Sequence, residues 1–295
     1  MNKPVLLITG ANGSIGKTFT LKLTELGIYK IVTLGLTNAS NDFNVDLRSS
    51  ESQEIVREIN PDFVVHLAGN PKIVSSFDDP VQDLKLNTLG TLNLMQGLSR
   101  QKRVVISFAN SAAIYAPFTH TPLTENSQTS IASPYAISKL AAESYISQQS
   151  LQFGYSWSSL VISNSFGPFP SHQTGVIANL ISGIKNRSSV VLNGKDTTRD
   201  FVHVDDVCEA ILLSLAKPLN TRINVSSMQE RSLFDIVNFV SRISGIDIQP
   251  IWKNELDSSK KRHCLDNTKA RKLLNWQPKR EFYSTLEEIL IGALN

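Results

Sequence analysis

Short apolar runs alternate with amphipathic stretches through the first two thirds of the chain. Val5–Ile8 is a compact apolar run ending at Thr9-Gly10, which reads as a buried strand meeting a turn. Ile15, Phe19, Leu23 and Leu26 recur at helical spacing, and Gly27 follows as a helix stop. Ile31–Leu34 reads as a second strand, Ser50–Ile59 as a helix that Pro61 closes, and Phe63–Leu67 as the next strand. Val81–Leu98 reads as one helix, Val104–Ser107 as a strand, Pro134 to Gln152 as a helix, and Ser158–Ile162 as a strand. Strands alternating with helices over short connections predict an α/β fold with a parallel sheet and helices on both faces. In such sheets ligands bind beyond the carboxyl ends of the strands.

After about residue 165 the alternation weakens. Gly167-Pro168-Phe169-Pro170 reads as a loop, 176–185 as a helix, and Phe201–Val204 and Ile223–Val225 as short strands. Helices over about 232–244 and 267–275 complete a smaller C-terminal lobe, with parts of the chain returning to the sheet. A length of 295 residues suits one sizeable domain, or a large one with a small one appended. The net charge of +3 permits an anionic small molecule but is far from the basic footprint of a nucleic-acid binder. Cys208 and Cys264 belong to no C-x-x-C unit and read as two buried thiols in a reducing compartment rather than a disulfide. No apolar run reaches the roughly 18 residues that span a bilayer. With no secretory pattern at the start, no membrane association is expected and the cytoplasm is the expected location.

Gly10-Ala11-Asn12-Gly13-Ser14-Ile15-Gly16 sets glycines at spacing G-x-x-G-x-x-G between the first strand and the first helix. Glycine permits the sharp turn and close backbone approach, and a helix N-terminus offers free N–H groups and a positive dipole to a pyrophosphate. The bland alternative is a glycine-rich turn without a ligand. The position after a strand and before an amphipathic helix favours a dinucleotide instead, held by Gly10, Asn12, Gly13, Ser14, Ile15 and Gly16. NAD-specific sheets normally end the second strand on an acid that takes the adenosine ribose. Here that strand ends Leu34-Gly35-Leu36-Thr37-Asn38 without a carboxylate. That leaves room for a 2′-phosphate beside Thr37, Asn38, Ser40 or Lys17, and it favours NADP slightly over NAD.

Tyr135-Ala136-Ile137-Ser138-Lys139 places a phenol and an ammonium four residues apart on one helix face. A nearby ammonium and an oxidised nicotinamide both favour phenolate and are expected to lower the tyrosine pKa. A tuned phenol can take a proton from an alcohol, or return one to a ketone, as hydride moves. Y-x-x-x-K is a common accident in a chain of this composition. Its place on the helix after the fifth strand gives it weight. Ser111, just beyond that strand, is expected to hydrogen-bond the reacting oxygen, although a lone loop serine is more often structural.

Taken together, these motifs resemble the extended short-chain dehydrogenases/reductases, and among them the nucleotide-sugar epimerase/dehydratase branch, over essentially the whole chain. Thr9-Gly10-x-x-Gly13-x-x-Gly16 resembles the branch's glycine motif, and Asp46-Leu47-Arg48 its D-[LI]-R element, whose aspartate meets the adenine. Asp62-Phe63-Val64-Val65-His66-Leu67-Ala68-Gly69 is similar to D-x-V-x-H-L-A-A, and Asn87-Thr88-Leu89-Gly90-Thr91 to N-x-x-G-T. The resemblance therefore adds Asp46, Leu47, Leu67, Ala68, Gly69, Tyr135 and Lys139 to the cofactor site, and it makes Ser111, Tyr135 and Lys139 the catalytic triad. Asn164-Ser165-Phe166-Gly167-Pro168 resembles N-x-[YF]-G-P, and Arg199-Asp200-Phe201-Val202-His203-Val204-Asp205-Asp206-Val207 resembles R-D-[FY]-[VI]-[HY]-V-x-D-[VL]. Leu274-Asn275-Trp276-Gln277-Pro278 is similar to the terminal L-G-W-x-P. These imply a nucleotide-diphosphate sugar met by Ser111, Asn164, Arg199 and Arg262, the arginines gripping the diphosphate through their bidentate forks. No metal ligands are implied.

The resemblance implies a Rossmann-type doubly wound sheet with a smaller C-terminal substrate-binding lobe. Its dinucleotide domain would comprise 1–165 plus about 200–226, and the lobe about 166–199 plus 227–295. Ala112-Ala113 stand where dehydratases of the branch carry Asp-Glu, which argues against elimination of water. Val161, Ala116 and Asn70 also depart from the branch's pattern and point to a reshaped pocket. The leading expectation is a 4-keto-sugar reductase using NADPH, and the alternative is a 4-epimerase with retained NAD. The missing second-strand acid places the reductase slightly first. A non-catalytic dinucleotide sensor or scaffold is the reading from another class, but such proteins often lose the tyrosine or lysine that this chain keeps. A homodimer is expected from the resemblance.

Overall fold

A computed structural model describes residues 3–36, 41–115, 121–129, 131–168, 175–195, 197–253 and 262–294. In chain order the elements begin β1 (Val5–Thr9), α1 (Ser14–Leu26), β2 (Lys30–Gly35), β3 (Phe43–Asn44), α2 (Glu51–Ile59) and β4 (Phe63–His66). Then come α3 (Ile73–Asp78), α4 (Pro80–Leu84), a π-helical turn at Lys85–Leu89, α5 (Gly90–Gly97), β5 (Val105–Ser111), α6 (Pro134–Phe153) and β6 (Ser156–Ile162). The rest is β7 (Asn164–Phe166), α7 (Val176–Asn186), β8 (Val191–Asn193), β9 (Thr198–His203), α8 (Val204–Ala216) and β10 (Thr221–Val225). It closes with β11 (Glu230–Ser232), α9 (Leu233–Ser244), β12 (Ile251–Lys253), α10 (Thr268–Leu274) and α11 (Phe282–Leu294).

The chain divides into two compact units. The first comprises 1–116, 128–161 and 208–223. Its seven-stranded sheet has the order β10-β6-β5-β4-β1-β2-β3, a Rossmann-like α/β arrangement. The pairs β1–β2, β1–β4, β2–β3 and β4–β5 are parallel. Leu7, Val32, Val64, Ile106 and Phe108 are buried among Leu94, Met95 and Ile146, so the apolar strands meet apolar helix faces. Helix α1 stops at Gly27, whose φ of 62° suits a residue without Cβ. Helix α6 starts where Ser133 Oγ accepts the Ala136 amide at 3.1 Å with Pro134 in the first turn, and it ends at left-handed Gly154.

The second unit comprises 117–127, 162–207 and 224–295. A three-stranded sheet, β11-β9-β7, carries an aromatic core in which Phe166, Phe201 and Phe282 have ring centroids 5.1–6.4 Å apart. Helices α7, α9 and α11 bury Ile181, Ile236 and Leu286 with them. Trp276 is buried and its indole N–H donates to the Asp206 carbonyl at 2.9 Å, which ties the chain after α10 to the start of α8.

The expected helix Val81–Leu98 contains a π turn at Lys85–Leu89, marked by the Gly90 amide bonding the Lys85 carbonyl. Strand β5 runs four residues further than expected, so Ser111 is its last residue and not a loop residue beyond it. Helices α3, α8 and α11 are additional to the sequence reading. Cys208 and Cys264 are buried free thiols. No helix among the described residues is long and apolar enough to cross a membrane.

Candidate active site

The β1–α1 turn is shaped by its glycines. Gly10 has φ +74°, and a Cβ there would lie 2.7 Å from the Ala68 nitrogen; at Gly16 it would lie 2.3 Å from the Gly10 carbonyl oxygen. Both approaches are to backbone, which cannot swing away. Helix α1 begins on Gly13 without a side-chain cap, and its first internal bond runs from Lys17 N to Gly13 O at 2.8 Å. The helix's own hydrogen-bond ladder therefore begins at Lys17. An uncapped helix start beside a cradle that a Cβ would fill fits a dinucleotide pyrophosphate.

The segment after β4 lies against this turn. Leu67 N donates to Thr9 O at 3.1 Å, and Ala68 N to Thr9 Oγ1 at 3.3 Å. A Cβ on Gly69 would meet Asn87 Oδ1 at 2.5 Å. Asn12 Nδ2 donates to Asn41 Oδ1 at 3.0 Å, so the glycine turn is linked to an amide that also lies against Gly35 at the end of β2. Asn41 was not singled out from the sequence. Asp46 is held by its neighbour, Arg48 Nε reaching both carboxylate oxygens at 3.0 and 2.8 Å, and that pairing keeps the acid below its ordinary range. Leu47 is buried and would touch a Cβ on Gly90. Thr37, Asn38 and Ser40 lie outside the described residues, while Lys17 sits in the first turn of α1.

Strand β5 and helix α6 bring Ser111, Tyr135 and Lys139 together. The Tyr135 phenol is pushed up to about 12, first by burial and further by Asp83, while a hydrogen bond with Ser111 pulls it down. The expected lowering by Lys139 is therefore absent, because burial of the phenol outweighs the favourable contacts. Lys139 Nζ donates to the Ala109 carbonyl at 2.6 Å and stands 4.2 Å from the centre of the Phe108 ring. Burial brings its ammonium down to about 7, against the pull of Asp83 and Glu143. Ser111 Oγ also accepts the Ala113 amide at 3.2 Å, and Ser111 N donates to Asn110 Oδ1 at 2.8 Å.

Supporting residues surround the three. Glu143, one turn beyond Lys139, accepts Asn110 Nδ2 at 2.7 Å and Ser159 Oγ at 2.5 Å, and it pairs with Arg222 through Nε and Nη2. Its i+4 spacing from Lys139 was legible in the sequence. Its partners on β5, β6 and β10 were not.

In the second unit, Asn164 Nδ2 donates to the Asp200 carbonyl at 3.0 Å and Arg199 Nη1 to the Thr198 carbonyl at 2.8 Å. Arg262 closes on Glu230 with both arms of its fork, Nε–Oε2 at 2.9 Å and Nη2–Oε1 at 2.8 Å. Glu230 also accepts Thr198 Oγ1 at 2.8 Å and Thr121 Oγ1 at 2.5 Å. These bonds outweigh the upward push of burial and bring its carboxyl down to about 2. Glu230 therefore links Arg262 to the strand that carries Arg199, a contact no spacing in the sequence announced.

Residues 6–226 match the model of the NAD dependent epimerase/dehydratase family. The chain is similar to the UDP-glucose 4-epimerase of Thermotoga maritima solved with UDP-glucose, with TM-score 0.89 and 27% identity over 98% of each chain. It is similar to the Thermus thermophilus UDP-glucose 4-epimerase in complex with NAD, with TM-score 0.86 and 27% identity over 99% of each chain. It is also 32% identical to the GDP-6-deoxy-D-mannose reductase of Pseudomonas aeruginosa, over 64% of this chain and 65% of that one.

Proposed function

The chain belongs to the NAD dependent epimerase/dehydratase family and is an NAD(P)-dependent enzyme of the extended short-chain dehydrogenase/reductase type, and from that premise we propose that it is a nucleotide-diphosphate-sugar 4-epimerase. The observation that carries the reading is the meeting of half-buried Ser111 at the end of β5 with buried Tyr135 and Lys139 at the start of α6, a proton-transfer set suited to a sugar hydroxyl. Full-length likeness to UDP-glucose 4-epimerases supports epimerisation ahead of reduction, which reverses the order drawn from the sequence.

In this reading the first unit holds the dinucleotide. Gly10, Asn12, Gly13, Ser14, Ile15 and Gly16 would hold the pyrophosphate, Asp46 and Leu47 would meet the adenine, and Leu67, Ala68, Gly69, Tyr135 and Lys139 would complete the cofactor site. When bound, the nicotinamide would supply hydride exchange at C4 and, oxidised, a positive charge that favours the Tyr135 phenolate. As phenolate, Tyr135 takes the proton of the C4 hydroxyl and returns it, Ser111 holds that oxygen, and the Lys139 ammonium stabilises the negative charge. In the second unit Asn164, Arg199 and Arg262 grip the sugar nucleotide.

A 4-keto-sugar reductase is the second reading. It is favoured by the end of β2, where the described residues offer the Asn41 amide. The nearest following acid, Asp42, is engaged by the Thr33 amide at 2.8 Å and the Thr33 hydroxyl at 3.0 Å. The same feature makes NADP a candidate alongside NAD. Val74, Phe77, Val81 and Leu84 on α3 and α4, with Ile137 on α6, form an exposed apolar face, and a second copy of the chain is the proposed cover.

The deciding experiment assays nucleotide retained by the purified protein, then titrates it with NADH and NADPH and supplies UDP-glucose. Retained NAD with conversion of UDP-glucose to its C4 epimer supports the epimerase. Empty protein that prefers NADPH supports the reductase, and binding of neither nucleotide overturns both.

A further inference from the structure

A buried acid that the functional reading leaves unused lies behind the catalytic helix. Asp83, on α4, is 1% exposed. Its Oδ2 accepts Ser138 Oγ at 2.6 Å, and its Oδ1 accepts Asn87 Nδ2 at 3.0 Å and Asn70 Nδ2 at 3.2 Å. Ser138 is the residue between Ile137 and Lys139 on α6, and its hydroxyl also takes Asn87 Nδ2 at 3.1 Å. Thr88 Oγ1 donates to the Ser138 carbonyl at 2.9 Å. Asn87 and Thr88 both lie in the π turn, so the irregular segment between α4 and α5 delivers its polar side chains to one point on α6.

The charged and titratable groups around Lys139 come from several elements. On its own helix, Glu143 already has a cation, Arg222, which binds it in bidentate fashion. From β4, His66 is neutral, its imidazole brought down to about 3 by burial and then by the Lys139 charge. From β5 come the Ala109 carbonyl and the Phe108 ring. Tyr135 is a protonated phenol. Among the described residues, Asp83 is hydrogen-bonded only by neutral amides and a hydroxyl. Its charge is left for Lys139, whose ammonium it favours together with Glu143.

We propose that Asp83 is a positioning residue, the fixed countercharge that keeps Lys139 an ammonium inside the buried site while Ser138 and Asn87 hold the carboxylate to α6. The proposal deepens the catalytic reading, and rests on it only for the claim that a charged Lys139 matters to turnover. The countercharge itself is measurable without substrate or cofactor.

The experiment follows the side-chain carbon next to the amine in the full-length protein labelled with ¹³C-lysine. The Lys139 signal is identified by its loss in Lys139→Met. It should titrate near pH 7, apart from the other lysines. In Asp83→Asn the midpoint should fall by a unit or more, because neutralising the acid removes an attraction for the proton. In Ser138→Ala, which removes a hydrogen bond but keeps the charge, the midpoint should stay near the wild-type value. An unchanged midpoint in folded Asp83→Asn overturns the proposal, as does an equal fall in Ser138→Ala. Should Asp83→Asn not fold, Asp83→Glu keeps the charge and must titrate like wild type; a fall there also overturns it. An inactive protein with these titrations intact would refute the catalytic reading alone.

Discussion

Tyr135 and Lys139 stand in a setting that opposes the charge each would carry. Burial raises the phenol to about 12 and lowers the ammonium to about 7. Replacing Tyr135 by Phe leaves the ring in place and removes the proton-bearing oxygen. Turnover measured on the active sugar nucleotide should drop by about 10²–10⁴-fold, with nucleotide content unchanged. An undiminished rate would take the tyrosine out of the mechanism. Lys139 also makes a stability prediction. Its folded pKa lies below the 10.5 of a free lysine, so between pH 7 and 10.5 the unfolded chain holds more protons and stability rises with pH. Urea denaturation at pH 7 and pH 9 should show that rise in wild type, and a smaller one in Lys139→Met. Equal pH slopes in the two proteins would mean that the amine is not buried.

At the scale of elements, the glycine turn and the π turn do different work. A methyl at Gly16 would fall 2.3 Å from the Gly10 carbonyl oxygen, so α1 must move away from the turn to admit it. Gly16→Ala should cost about 1–3 kcal/mol in thermal or urea denaturation, the usual range for overpacking, and should lower retained nucleotide. Wild-type stability and nucleotide content together would show that the cradle has room for a methyl group. The glycine turn was legible because three glycines at fixed spacing follow an apolar strand. The π turn was not, since Val81–Leu98 has an ordinary helical pattern and the extra residue is decided by what Asn87 and Thr88 reach on α6.

For the whole molecule, the exposed Val74, Phe77 and Val81, at 72%, 57% and 58% of their full exposure, argue for self-association through α3 and α4. Sedimentation of the wild-type protein should give a dimer, and Val74→Glu with Val81→Glu should give a folded monomer. A wild-type monomer at micromolar concentration would leave that apolar face without its proposed cover. The alternation of strands and helices through residue 165 was enough to read the parallel sheet of the first unit. The second unit was read only in part: α11 was not among the helices read from the sequence, nor was α8, whose start belongs to that unit.

The sequence by itself determined the strand–helix alternation of the first unit, the glycine turn and the Tyr135/Lys139 pair, because each depends on residues close together along the chain. Local periodicity and backbone freedom act at that range. Only the tertiary structure decided that Asp83 and Asn87 lie behind Ser138, that Arg222 answers Glu143 from 79 residues away, and that Glu230 holds Arg262. Those pairings decide where charge is balanced and where it is left over. They exist only once the sheet order and the π turn have brought distant segments together, so no spacing along the chain could announce them.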